Sequence, residues 1–197
     1  MTCSLVVNSK SGNTRMVSGA IKRALQAAGV EFVHAAALSD DADADQVALE
    51  AQGACAADTV LVGFWCDKGA CTPSVATLLS ALHGKRVFLF GTCGFGADQS
   101  YYQQIIDRVT SNLAGDAELA GWAMCQGKMG PALKHRYAAM LEQDPENARF
   151  KMLHDHWVAA KDHPTTEDLD NRAAAAHHAV LRESNAARDA ARSSVQT

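Results

Sequence analysis

Apolar positions along the chain follow two alternating rhythms. Short apolar runs recur at residues 4–7, 31–37, 59–64, 86–91 and 118–124, and helical spacing fills most of the gaps between them. The first gap places Val17, Ile21, Ala24, Leu25 and Ala28 on one face, with Gly29 suited to the cap that follows. An acidic loop of Asp40, Asp41, Asp43 and Asp45 leads into an alanine-rich helix that ends near Ala57. Thr72 and Pro73 mark another helix start, and residues 101–113 a further helix. The run Thr59-Val60-Leu61-Val62-Gly63-Phe64 does not alternate, which is the pattern of a strand buried on both faces. Strands separated by crossover helices predict an α/β fold with a parallel sheet.

In an open parallel sheet, ligands bind outside the carboxyl ends of the strands. Three of these ends are chemically unusual. After the first strand comes Ser9-Lys10-Ser11-Gly12-Asn13-Thr14; after the third, Trp65-Cys66-Asp67-Lys68-Gly69; after the fourth, Thr92-Cys93-Gly94-Phe95. The first has the composition of a phosphate cradle. A helix start offers unpaired N–H groups and partial positive charge, hydroxyls and an amide add donors, and Gly12 permits close approach. An ordinary strand-to-helix loop has a similar composition, Trp65 could simply cap the core, and Asp67-Lys68-Gly69 would also suit a surface turn. Neither the P-loop pattern nor the Gly-x-Gly-x-x-Gly dinucleotide turn is present.

Composition narrows the partners. The 197 residues suffice for a single domain spanning residues 1–184, given a prior of roughly 150 residues per domain. A formal charge of −4 with no basic stripe argues against nucleic acid. No apolar run is long enough to span a membrane and no signal-peptide pattern opens the chain, so the expectation is a cytoplasmic protein. The six cysteines read as reduced thiols. Cys66, Cys71, Cys93 and Cys125 fall near strand ends and raise a metal site as a rival, but no Cys-x-x-Cys spacing supports one, and no metal ligand is assigned.

Ser9, Ser11, Gly12 and Thr14 match the flavodoxin phosphate loop, Ser/Thr-x-Ser/Thr-Gly-x-Thr. Together with the Gly-Phe-Trp-x-Asp-Lys-Gly and Phe-Gly-Thr-x-Gly strings, they make residues 2–126 resemble the flavodoxin-like family. The resemblance implies a three-layer sandwich around a five-stranded parallel sheet of order 2-1-3-4-5, and FMN as the cofactor. It assigns Ser9, Lys10, Ser11, Gly12, Asn13 and Thr14 to the phosphate, and Trp65, Cys66, Asp67, Lys68 and Gly69 to a loop beside the flavin ring. Thr92, Cys93, Gly94 and Phe95 go to a second flanking loop, where the family often has a tyrosine that Tyr101 or Tyr102 could supply. The function implied is that of a flavoprotein in electron transport, exchanging electrons with a reductase and an acceptor protein. The alternatives are an oxidoreductase that reduces a quinone or tetrapyrrole, alone or with a larger flavoenzyme, and an interaction module without cofactor. Lys10 and Arg15 bracket the phosphate loop and the acidic balance is weak, both departures from the usual flavodoxin pattern.

Beyond Cys125 the chain does not enter its last helix directly. Residues 129–163 form an insertion with a helical run through Leu133, Tyr137 and Leu141, then His154, His156 and Trp157, expected to pack near the flavin loops. Thr165 and Asp168 resemble a capping box for a final helix that lays Leu169, Ala173, Ala176 and Val180 on the sheet. Residues 185–197 lack an apolar stripe and are expected to fray.

Overall fold

In a computed structural model, which describes residues 1–96 and 98–194 and side chains through residue 182, five strands pair in parallel in the order β2-β1-β3-β4-β5. These are β1 (Thr2–Asn8), β2 (Glu31–Leu38), β3 (Thr59–Trp65), β4 (Arg86–Cys93) and β5 (Glu118–Gln126). The crossovers are α1 (Asn13–Ala27), α2 (Ala44–Ala54), α3 (Pro73–Ser80) and α4 (Gln99–Thr110), followed by α5 (Pro131–Gln143), α6 (Ala148–Ala160) and α7 (Thr166–Ser194). The sandwich and strand order are those expected.

The central strands have two buried faces, and their side chains divide between them with the period of two that a pleat imposes. Val60, Val62, Phe64, Val87 and Leu89 meet Val47 of α2, Leu78 of α3 and Ile105 of α4. Leu61, Phe88 and Phe90 face the other way, against Val17, Ile21 and Leu25 of α1 and Ala176 and Val180 of α7. Two glycines make room across the β3–β4 ladder. Gly63 pairs with Phe90 and Gly91 with Phe64, and a Cβ at Gly63 would lie 2.4 Å from Phe90 Cζ, one at Gly91 2.9 Å from Phe64 Cζ. Each phenylalanine occupies the volume its partner lacks.

Helix ends follow local chemistry. Asp43 and Gln46 close a capping box on α2, and the Asp98 side chain accepts the Ser100 N–H, starting α4 at Gln99. Thr72 precedes α3 as expected but does not cap it through its side chain; its hydroxyl pairs with Ser74 and Asn8 instead. The box at α7 is formed: the Thr165 N–H donates to Asp168 Oδ2 at 2.8 Å and the Asp168 N–H to Thr165 Oγ1 at 3.1 Å.

The insertion is a helical hairpin, α5 and α6, closed over a small cluster of Met129, Tyr137 and Ala160, with Leu133, Leu153, Trp157 and Phe95 packed against it. His156 packs its ring on Phe95, centroids 5.0 Å apart. The tail set apart at residues 185–197 lies outside the described side chains, and residues 195–197 outside the described backbone.

Candidate functional site

The pairing of β1, β3 and β4 brings their carboxyl-end loops side by side. In the first loop, Gly12 has a φ of 90° at the N-cap of α1, a conformation that favours glycine. Among the described residues, the N–H groups of Ser11, Gly12, Asn13 and Thr14 have no protein acceptor, as expected of a helix start open to an anion. The side chains hold this loop in shape. Ser9 Oγ accepts the Arg15 N–H at 3.3 Å, and Asn13 Nδ2 donates to Ser11 Oγ at 3.1 Å and to the Lys128 carbonyl at 2.9 Å. Thr14 is buried with its hydroxyl 2.9 Å from that of Thr92. What Thr14 offers a ligand is therefore its backbone N–H.

The second loop begins at Trp65, whose indole N–H donates to Asp40 at 2.8 Å while the Lys10 ammonium lies 4.7 Å from the ring centroid. Asp40 also accepts from Asn8 at 2.8 Å, so this carboxylate pins the indole to the end of β1. Asp67 and Ala70 then exchange two backbone hydrogen bonds, of 2.8 and 3.0 Å, around Lys68 and Gly69 at φ values of 50° and 86°. Positive φ at both central positions is the geometry of a type I′ turn. The Gly69 carbonyl accepts from Arg108 of α4 at 3.2 Å.

In the third loop the ladder runs past the strand end: the Cys66 N–H donates to the Thr92 carbonyl and the Gly127 N–H to the Cys93 carbonyl, both at 2.9 Å. Gln126 Nε2 donates to the Gly94 carbonyl at 3.2 Å. Gly94 is needed for a close approach, because a Cβ there would come within 2.6 Å of Met129 Cγ. The Cys66 and Cys93 thiols are neighbours: the Cys66 thiol holds Cys93 below the usual thiol range against the effect of burial, helped by the Phe95 N–H and the Tyr101 hydroxyl, while Cys93 and burial push Cys66 up. The two tyrosines divide: Tyr102 is buried with its hydroxyl on the Gly96 carbonyl at 2.8 Å, and Tyr101 reaches Cys93.

Together the loops bound a cleft of about 260 Å³, lined by Lys10, Ser11, Asn13, Trp65, Cys66, Thr92, Cys93, Gly94 and Phe95. Ser9, Gly12, Thr14, Asp67, Lys68 and Gly69 shape the loops without lining it. Gly127, Lys128, Met129, Gly130 and Leu133 complete its wall. These were not foreseen from the sequence, where the only signal was that Gln126-Gly127-Lys128 leaves the same edge of the sheet. Asp40 was also missed as a support for Trp65. A larger hollow of about 590 Å³ lies beyond Lys10, lined by Lys10 and Arg15 as well as Asp40 and Asp41, and no aromatic ring borders it. The Ser39 hydroxyl keeps the Asp41 carboxyl below the usual range, so that charge persists. The four rim thiols do not converge as a set: Cys66 and Cys93 are neighbours on one face of the sheet, and Cys125 belongs to the other. Among the described residues no group of three or more His, Cys, Asp or Glu could hold a metal.

The flavodoxin domain pattern matches residues 4–177. The chain belongs to the flavodoxin domain family. It is 34% identical over 176 residues to the flavodoxin-like domain-containing protein BilS of Clostridium symbiosum, covering 86% of this chain and 90% of that one. The BilS protein of Clostridioides difficile is 33% identical over 112 residues, 57% of this chain and 64% of the relative. Among solved structures, flavodoxin 1 of Bacillus cereus superposes with a TM-score of 0.49 at 15% identity, covering 92% and 99% of the two chains.

Family membership makes this an FMN-binding electron-transfer flavoprotein. The cleft's donor set fits FMN: unpaired N–H groups with hydroxyl and amide donors at one end, indole and phenyl rings further along. No helix among the described residues is long and apolar enough to cross a membrane.

Proposed function

We propose that this flavodoxin-domain protein is an electron carrier that seats FMN in the cleft between the three rim loops and exchanges electrons with a reductase and an acceptor protein. The observation that carries this reading is the juxtaposition of the unpaired N–H groups of Ser11 and Asn13 with Trp65 and Phe95 along one cleft. When bound, FMN supplies reversible one- and two-electron transfer, and the protein supplies position, exposure and electrostatics. Ser11, Asn13 and the loop N–H groups hold the phosphate. Trp65, fixed by Asp40, flanks the ring, and the turn at Asp67–Ala70, tied to Arg108, presents a defined backbone to its edge. Phe95 with the α5–α6 hairpin keeps water from the far wall. No side chain in the cleft is assigned a bond-breaking role.

The apolar wall of Phe95, Met129 and Leu133 favours a second reading, direct reduction of a flat small acceptor such as a quinone or tetrapyrrole. Turnover separates the two. The reconstituted protein is mixed with NAD(P)H and a quinone or tetrapyrrole, with and without a flavin reductase. The carrier reading expects oxidation only when the reductase is present, and steady oxidation by the protein alone would replace it with the oxidoreductase reading.

A further inference from the structure

Cys66 and Cys93 stand in an arrangement that electron carriage through FMN does not use. Trp65 and Thr92 are the last registered pair of the β3–β4 ladder. The Cys66 N–H bond to the Thr92 carbonyl at 2.9 Å carries the alignment one residue further, where the two cysteines meet. Both line the same cleft, one residue past the last registered pair of the ladder. The neighbouring Cys66 thiol, the Phe95 N–H and the Tyr101 hydroxyl all favour the ionised form of Cys93. These are the donors that stabilise a thiolate, the nucleophilic form. The other four cysteines are not in this position: Cys3 and Cys125 are buried in the opposite face, and Cys55 and Cys71 do not line the cleft.

We propose that Cys66 and Cys93 form a peroxide-responsive dithiol that closes to a reversible disulfide across the ends of β3 and β4, on the wall of the cofactor cleft. The Cys93 thiolate attacks one oxygen of a hydroperoxide, the O–O bond breaks, and Cys93 becomes a sulfenic acid as hydroxide or alkoxide leaves. The Cys66 sulfur then displaces the sulfenic oxygen as water, forming the S–S bond. Two thiols and one hydrogen peroxide give one disulfide and two waters, and the two electrons lost by sulfur reduce the peroxide. A disulfide spanning two adjacent strand ends has a constrained geometry, which favours a labile and reducible bond over a permanent one. Because the pair lines the cleft, bound FMN shields it; this part rests on the cofactor seat proposed above.

The test uses the full chain with its natural cysteines. The apo protein is exposed to hydrogen peroxide, the remaining thiols are alkylated, and unreduced peptides are mapped by mass spectrometry. The expected product joins the peptides carrying Cys66 and Cys93, with a loss of about 2 Da for the two hydrogens removed and full reversal by dithiothreitol. In Cys66→Ser, Cys93 instead gives a sulfenic acid that dimedone traps. Alkylation of both cysteines after excess peroxide, or a crosslink between other cysteines, would overturn the proposal. A repeat with FMN bound is expected to slow closure severalfold. An unchanged rate would remove FMN from this cleft while leaving the dithiol standing.

Discussion

Two parts of the molecule meet at the cofactor cleft, and they are held in different ways. The sheet rim is fixed by a continuous backbone ladder and by large side chains that are almost completely buried, such as Phe64, Phe88 and Phe90. The α5–α6 hairpin rests on a cluster with only Met129, Tyr137 and Ala160 fully in its centre, and most of its remaining surface is half-buried or exposed. A buried ladder opens only at a high free-energy cost, whereas an element held by a small apolar cluster opens at a low one. On the cofactor seat proposed above, the rim is the part that sets what is bound and the hairpin the part that sets what reaches it.

The largest effect is expected at the Phe90–Gly63 contact. Gly63→Ala forces a methyl group into the buried Phe90 ring and is expected to lower stability by about 1–3 kcal/mol, seen as a lower midpoint in thermal or denaturant unfolding. Removal of residues 130–161 addresses the other part. The sheet should still melt cooperatively, while FMN affinity falls about tenfold, roughly 1.4 kcal/mol, as measured by flavin fluorescence; unchanged affinity would take the hairpin out of the site. Trp65→Ala, a change confined to one ring, should weaken FMN by about 1 kcal/mol in the same titration while leaving the melting temperature near that of the natural chain.

The smallest effect is at the junction between the two parts. Burial pushes the Asp168 carboxyl up, but the Thr165 N–H, His163 and the Thr165 hydroxyl outweigh it and hold the group below its ordinary value. A carboxylate whose folded pKa is depressed contributes stability above its unfolded pKa of about 3.9, and loses it as pH falls through the lower folded value. Melting temperature should therefore drop on acidification below about pH 4, and Asp168→Asn should flatten that part of the curve.

The sheet was legible because runs such as Thr59–Phe64 and Arg86–Gly91 have no polar side that a helix could turn to water. The strand ends were read short. Trp65, Thr92 and Cys93 belong to the ladder, but Thr92 and the loop residues beyond them break the apolar run that marks a strand. The helix start with its open N–H groups was legible from local chemistry, since it and the side-chain donors lie within six residues of each other, Ser9 to Thr14. The contacts that complete the cleft were not, because they join distant segments: Trp65 with Asp40, Asn13 with Lys128, Gly69 with Arg108. No local spacing encodes those pairs. The hairpin's two helices were read only as a helical run near the flavin loops, because each buries one residue fully, Tyr137 in α5 and Ala160 in α6.

The proposed seat places one FMN between the Ser9–Thr14 loop and Trp65. Titrating the full chain into FMN and following flavin fluorescence tests it most directly when Trp65→Phe is run beside the natural chain. Saturation at one FMN per chain, with strong quenching that weakens in Trp65→Phe, is the predicted result. Saturable binding with identical quenching in both proteins would place the flavin ring elsewhere, and no change in fluorescence at any ratio would contradict the site altogether.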